Sequence, residues 1–138
     1  MRGALAACSL IVLMLLGGCG GITAPDLFIV QRNGAGTGAR LTLVVNEEGG
    51  VSCNGAKGKQ KLGDSEIVKA RAIQEEIKEY ASKHLSLQAR PGSVLSYRLR
   101  DQDGTVSFAD NSAAQPKVLR ELALFVLQTA QQVCHLPE

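Results

Sequence analysis

The chain has 138 residues, 45% of them hydrophobic and 20% charged, which is the size of one domain rather than two. Lysine and arginine total 15 against 13 aspartates and glutamates, so the net charge of +2 indicates neither a strongly acidic nor a strongly basic partner. Aromatic residues make up only 4% and tryptophan is absent, so we expect no base-stacking platform and no nucleic-acid partner.

The first residues have the pattern of an export signal. Arg2 supplies a positive charge, and an almost unbroken apolar run occupies residues 4–16. That run is shorter than the roughly 20 residues of a membrane-spanning helix, but it matches the ~7–15 apolar residues of a secretory signal. The sequence therefore predicts an exported protein whose residues 1–18 form a signal peptide outside the folded domain.

The apolar run ends in Leu16-Gly17-Gly18-Cys19, which resembles the lipobox of bacterial lipoproteins. The resemblance implies a type II signal peptide, with a diacylglycerol on the Cys19 thiol and cleavage between Gly18 and Cys19. It also implies acylation of the new amino terminus, for which palmitate is a typical chain. Membrane lipid, reached through the acylated Cys19, is then the expected partner. An ordinary cleaved signal or a retained signal anchor is the alternative.

A short linker, residues 19–26, separates that cysteine from the predicted domain, residues 27–138. Fully extended, residues 20–25 of this linker reach roughly 20 Å, so the domain would lie close to the extracytoplasmic side of a cell membrane. Lys57, Lys59 and Lys61 form a compact basic loop. Attraction of this loop to anionic lipid is one expectation, and simple solvation of a surface loop is the other.

The four cysteines have different expected roles, and two of them remain in the predicted domain. Cys8 leaves with the signal peptide, and Cys19 takes the lipid. Cys53 and Cys134 remain as an even pair in a domain exported to an oxidising compartment, which predicts a disulfide. Free thiols or a metal-binding pair are the alternatives, although neither cysteine lies in a CxxC motif.

Three strands are predicted at the start of the domain. Residues 27–32, 39–46 and 51–53 are short apolar runs that are partly β-branched or alternating. Between them, residues 33–38 and 47–50 are rich in glycine, asparagine and glutamate, as is typical of turns. The three strands therefore form a meander.

The second half of the domain alternates helices and a hairpin. Apolar side chains at helical spacing predict helices over residues 64–84 and 116–133. Residues 93–100 and 105–109 alternate apolar and polar side chains around a tight turn, which predicts two paired strands. The order β-β-β-α-β-β-α predicts an α+β fold: an antiparallel β-sheet with two helices packed on one face, after an N-terminal signal helix.

No group of residues in the sequence predicts an enzyme. The histidines, His84 and His135, have no nucleophile or second metal ligand nearby in the chain. The motif Gly34-x-Gly36-x-Gly38 precedes a strand, whereas a phosphate loop would open a helix. Asp101 and Asp103 lack the later acidic residue of a calcium loop. We expect no catalytic residue, no cofactor and no metal.

Several short segments together resemble one known family. They are residues 28–34, Tyr97-Arg98-Leu99, and residues 106–110 leading into Pro116 and a leucine-rich helix. From residue 27 to residue 130 this pattern resembles the emfourins, small bacterial proteins that include inhibitors of thermolysin-like metalloproteases. The cysteine pair and the lipid anchor depart from the emfourin pattern, and the same spacing suits an actinobacterial-type lipoprotein family.

The sequence as a whole predicts a membrane-anchored extracytoplasmic lipoprotein of the cell envelope. We expect it to act as a non-enzymatic binding or interaction module, with a protein partner as one class of ligand. A tethered inhibitor of an extracellular metalloprotease is the alternative implied by the resemblance. A small hydrolase is a further alternative, and it would require serine, histidine and aspartate side chains to meet in one pocket.

The intact mass of the membrane-extracted protein tests the predicted signal cleavage, acylation and disulfide together. We expect a chain that begins at Cys19, carries the acyl additions, and has lost two hydrogens through the disulfide. A mass equal to that of the unprocessed, fully reduced chain would contradict the prediction.

Overall fold

The computed structural model describes residues 24–56 and 60–137. The predicted signal peptide, the cleavage site at Gly18 and the lipid on Cys19 lie outside the described residues, as do Lys57 and Lys59. Within the described ranges, no helix is long and apolar enough to cross a bilayer.

The described residues form six strands and two helices, which confirms the predicted α+β class. The elements are β1 Asp26–Gly34, β2 Leu41–Asn46, β3 Gly50–Cys53, β4 Gln60–Lys61, α1 Asp64–Ser82, β5 Leu95–Arg100, β6 Thr105–Ala109 and α2 Lys117–Gln132. The strand β4 falls where the sequence predicts only a polar loop. Its two residues pair with Gly50 and Val51 of β3, so backbone hydrogen bonding rather than a side-chain pattern defines it.

All strands join one antiparallel sheet in the order β4-β3-β2-β1-β5-β6. The first three strands form the predicted meander, and β5 then pairs with the free side of β1. As a result β1 lies near the centre, where Val30 stands opposite Leu43 on one side and Leu99 on the other.

In the described part of the chain, helices cover one face of the sheet. Alternation along each strand places one set of side chains on the helix side, and these include Phe28, Val30, Leu41, Leu43, Val45, Val51, Tyr97, Leu99, Val106 and Phe108. Both helices bury their apolar stripes against this set, as predicted, through residues such as Ile73 and Ile77 in α1 and Leu122 and Phe125 in α2. The residues between them in sequence, such as Gln31 and Arg98, are exposed on the opposite face.

Two aromatic pairs reinforce the core. Phe28 of β1 and Phe125 of α2 meet edge to face with their ring centroids 6.1 Å apart, which joins the central strand to the last helix. Tyr97 and Phe108 stack at 4.9 Å across β5 and β6. Each such pair contributes roughly 0.5–1.5 kcal/mol beyond the area that it buries.

A disulfide links Cys53, the last residue of β3, to Cys134, two residues beyond the end of α2. The sulfur atoms are 2.01 Å apart and the Cα atoms 5.9 Å apart, so the predicted pairing is confirmed. The bond holds the segment after α2 against the sheet and closes a separation of 81 residues.

We expect the double variant Cys53→Ser/Cys134→Ser to unfold more easily. Opening a loop of 81 residues costs about 4.5 kcal/mol of free energy of unfolding in the chain-entropy model. Urea unfolding of the variant and of the wild type measures the difference, and the wild type in reductant provides the control. A loss below about 1 kcal/mol would show that the bond does not constrain the unfolded chain.

Candidate functional site

The most unusual residue of the core is an arginine. Arg32 follows Phe28 and Val30 at alternate positions of β1, so strand geometry directs its side chain to the helix-covered face. Its exposed fraction is 5%. Arginine is almost never fully buried unless it is paired, so this position needs a physical explanation.

The Arg32 guanidinium is held by backbone carbonyls of the β1–β2 loop. Nε donates to the carbonyl oxygen of Ala39 at 3.1 Å in a buried bond, and Nη2 donates to that of Gly38 at 2.8 Å in a partly buried one. No carboxylate forms an ion pair with Arg32 within the described ranges. Burial raises the pKa of the neighbouring Tyr97, and the positive charge of Arg32 opposes that rise. Among the described residues, carbonyl dipoles rather than a counter-ion therefore hold this cation.

Arg32 lines a cleft of about 240 Å³ at one end of the sheet, which we call the Arg32 cleft. Its other lining residues come from the β1–β2 loop, the start of β5, α2 and the segment after α2: Gly36, Thr37, Gly38, Ala39, Val94, Leu95, Leu127 and Pro137. Val94 is 67% exposed and Leu127 is 40% exposed, so two large aliphatic side chains stand at a surface opening above a buried cation.

One wall of the cleft is set by the chain reversal after α2. His135 has a positive φ of 53°, and the N–H of Leu136 donates to the carbonyl oxygen of Ala130 at 2.9 Å, so the chain turns back over the helix end. Pro137 then reaches Gly38, whose φ is +76° and whose added Cβ would lie 2.7 Å from the Pro137 carbonyl oxygen. Both the backbone conformation and the close approach require glycine at position 38.

The opposite wall depends on Asp110. Its carboxylate accepts hydrogen bonds from Ser93 Oγ at 2.8 Å and from the backbone N–H groups of Val94 at 3.1 Å and Leu95 at 3.2 Å. Burial works to raise the pKa of Asp110, but the hydrogen bonds from Ser93, Val94 and Leu95 outweigh it and lower the pKa below its ordinary value. The charged form of Asp110 therefore holds the start of β5 in place.

The open face of the sheet is a second surface. Ile29, Gln31, Arg98 and Arg100 line a depression of about 200 Å³ there, and neither arginine has an ion-pair partner among the described residues. Antiparallel sheets commonly keep one polar face in water, so solvation accounts for this surface. Lys61, predicted to contact lipid, is exposed in β4.

The other sequence candidates occupy structural positions. His84 Nδ1 lies 3.4 Å from Thr105 Oγ1, while His135 is exposed after α2. Asp101 accepts the backbone N–H groups of Asp103 and Gly104, as in a hairpin turn. In the part of the chain that the structure describes, no group of three histidine, cysteine, aspartate or glutamate side chains is arranged to hold a metal ion.

Sequence reasoning missed the Arg32 cleft, although a signal was present. The predicted loop of residues 33–38 does connect two strands, although Asn33 and Gly34 still belong to β1. The carbonyls of Gly38 and Ala39 in this connection also hold a buried cation. The alternation of Phe28, Val30 and Arg32 already places the arginine on the apolar face of β1. Extending that alternation from Val30 to Arg32 identifies Arg32 as a buried cation.

Comparison with known protein families, with curated proteins and with solved structures found no match to this chain. The resemblance to emfourins therefore stays a prediction, and the candidate site rests on its own geometry.

We expect Asp110→Asn to lower the free energy of unfolding by about 1 kcal/mol at neutral pH, because a neutral amide accepts these hydrogen bonds less well. The pKa of Asp110 is lowered on folding, so its contribution is present above the ordinary carboxyl pKa and is lost as the pH falls through the folded value. The variant should therefore lose less stability than the wild type below about pH 4.

Chemical unfolding at a series of pH values measures this difference. Asp26→Asn, which removes an exposed carboxylate from β1, is the matched control and should keep the acid sensitivity of the wild type. Identical pH profiles for wild type and Asp110→Asn would contradict the role given to Asp110.

Proposed function

We propose that this chain is a bacterial lipoprotein, anchored through acylated Cys19 at the extracytoplasmic side of a membrane, and that it acts as a non-enzymatic binding module. Its binding site is the Arg32 cleft. The observation that carries the binding role is a 5%-exposed guanidinium with no carboxylate partner among the described residues, beneath the exposed aliphatic side chains of Val94 and Leu127.

Two independent features support the extracytoplasmic location. One is the lipobox-like segment Leu16-Gly17-Gly18-Cys19 behind a short apolar run. The other is the Cys53–Cys134 disulfide, because such bonds persist in exported proteins and are rare where thiols are kept reduced. Each buried methylene of an attached lipid contributes about 0.8 kcal/mol, so two or three acyl chains would anchor the domain stably.

The chemistry of the cleft favours binding over catalysis. Its charged group is a guanidinium, which offers hydrogen-bond donors and no acceptor. Its hydroxyl belongs to Thr37, and neither histidine is among the residues that line the cleft. A hydroxyl nucleophile needs an adjacent base, so this set of side chains is suited to holding an anion rather than to breaking a bond.

Replacement of Cys19 tests the anchor. We expect Cys19→Ser to move the protein from the membrane fraction to a soluble or unprocessed form, because serine offers no thiol for lipid attachment. Cell fractionation followed by immunoblotting measures the change. Cys8→Ser is the matched control, since Cys8 lies in the predicted signal peptide before the lipobox, and it should stay in the membrane fraction. Membrane association and an unchanged mass for Cys19→Ser would contradict the proposal.

A further inference from the structure

The chemistry of the Arg32 cleft points to one class of ligand. We infer that the cleft binds an aliphatic carboxylate with a single chain, that is, a fatty-acid-like amphiphile whose head pairs with Arg32 and whose chain lies against Val94, Leu127 and Pro137. This inference rests on the proposed role of the cleft as a binding site, and it adds the nature of the ligand.

The charge at the floor of the cleft selects an anion. A buried cation is costly when no opposite charge compensates it, and among the described residues Arg32 has only the carbonyls of Gly38 and Ala39 as acceptors. The hydrogen bond of Nη2 is only partly buried, so this end of the guanidinium is the one nearer to solvent. Guanidinium presents parallel N–H groups that match the two oxygens of a carboxylate. A ligand carboxylate would thus supply the missing counter-charge.

The walls of the cleft select an alkyl chain. Val94, Leu95, Leu127 and Pro137 contribute aliphatic surface, and none of the described residues that line the cleft is aromatic. Val94 and Leu127 are two of the four large hydrophobic residues that are exposed in the described part of the chain. Covering these side chains with methylene groups removes apolar surface from water, which favours binding.

The backbone around the cleft favours an alkyl ligand over a peptide. The carbonyls of Gly38 and Ala39 accept from Arg32, and the N–H of Ala39 donates to the carbonyl oxygen of Gly36 at 3.1 Å. The N–H groups of Val94 and Leu95 are taken by Asp110. A peptide main chain would need partners of this kind, whereas an alkyl chain needs none.

Titration calorimetry with decanoate tests the inference. The protein is the processed chain from residue 19 with Cys19→Ser, which removes the lipid anchor, and its cooperative thermal unfolding is verified first. We expect saturable binding of decanoate and at least roughly tenfold weaker binding of decanol, which has the same chain without the charge. Equal affinity for decanoate and decanol, or no binding of decanoate to the folded protein, would overturn the inference.

Introducing a negative charge at the rim of the cleft locates the binding site. Leu127→Glu should weaken decanoate binding by roughly tenfold or more, because it removes apolar contact with the alkyl chain and places a charged, hydrated carboxylate against that chain. Leu124→Glu is the matched control, since Leu124 is 47% exposed on the same helix and does not line the cleft. Val94→Glu and Val68→Glu form a second pair, with exposed fractions of 67% and 66%. Equal effects within each pair would place binding elsewhere and overturn the inference.

Replacement of the cation gives a third readout. Arg32→Met should abolish the preference for decanoate over decanol, and the rim variants keep the inference testable if this buried change prevents folding.

Acetyl-leucyl-leucine, a short peptide with a free carboxylate, is the competing ligand. Tighter binding of that peptide than of decanoate, with the same sensitivity to Leu127→Glu, would overturn the ligand class while leaving the binding role intact. Failure of the anchor would appear separately, as membrane association of a Cys19→Ser chain that is processed like the wild type.

Discussion

The burial of the Arg32 guanidinium is the constraint around which one end of this domain is built. Strand geometry leaves no other direction for the side chain, because β1 is flanked by β2 and β5 and its alternate residues Phe28 and Val30 enter the core. The loop between β1 and β2 folds back so that the carbonyls of Gly38 and Ala39 reach the guanidinium. These dipoles satisfy two N–H groups, and no carboxylate of the described residues pairs with the positive charge, which is why we propose that an anion binds there.

The remaining walls are positioned by features far apart in sequence. The disulfide at Cys134 holds the segment after α2 against β3, and the chain reversal at His135 brings Pro137 over the glycine at position 38. On the other side, Asp110 fixes the start of β5 through hydrogen bonds from the backbone. The cleft is therefore formed by tertiary contacts between loops and strand ends, and no contiguous motif encodes it.

Local patterns predict most of this fold. The helical stripe around Ile73 and Ile77 and the alternation of residues 95–100 identify their elements to within a few residues, because one buried face imposes one period. The pairing of Cys53 with Cys134 is predicted from the even number of cysteines in the domain and from the expected export of the chain. The pairing of β5 with β1 and the pairing of the two-residue strand β4 with β3 depend on contacts between separate segments of the chain. The spacing of apolar residues within one segment does not predict such contacts. The cleft walls depend on such distant contacts too, because the β1–β2 loop, β5 and the end of α2 meet only in the fold. The alternation along β1, by contrast, already places Arg32 on the buried face.

We propose that a lipid on Cys19 holds this disulfide-bonded domain at a membrane and that the Arg32 cleft binds an acidic amphiphile, a type of molecule that membranes hold nearby. The most direct test is to follow the Arg32 Nε–H resonance by NMR while decanoate is added to the folded domain. Our account predicts that this signal shifts in a saturable way with decanoate and stays unchanged with decanol. A constant Arg32 signal while decanoate shifts resonances on the open face of the sheet would contradict it.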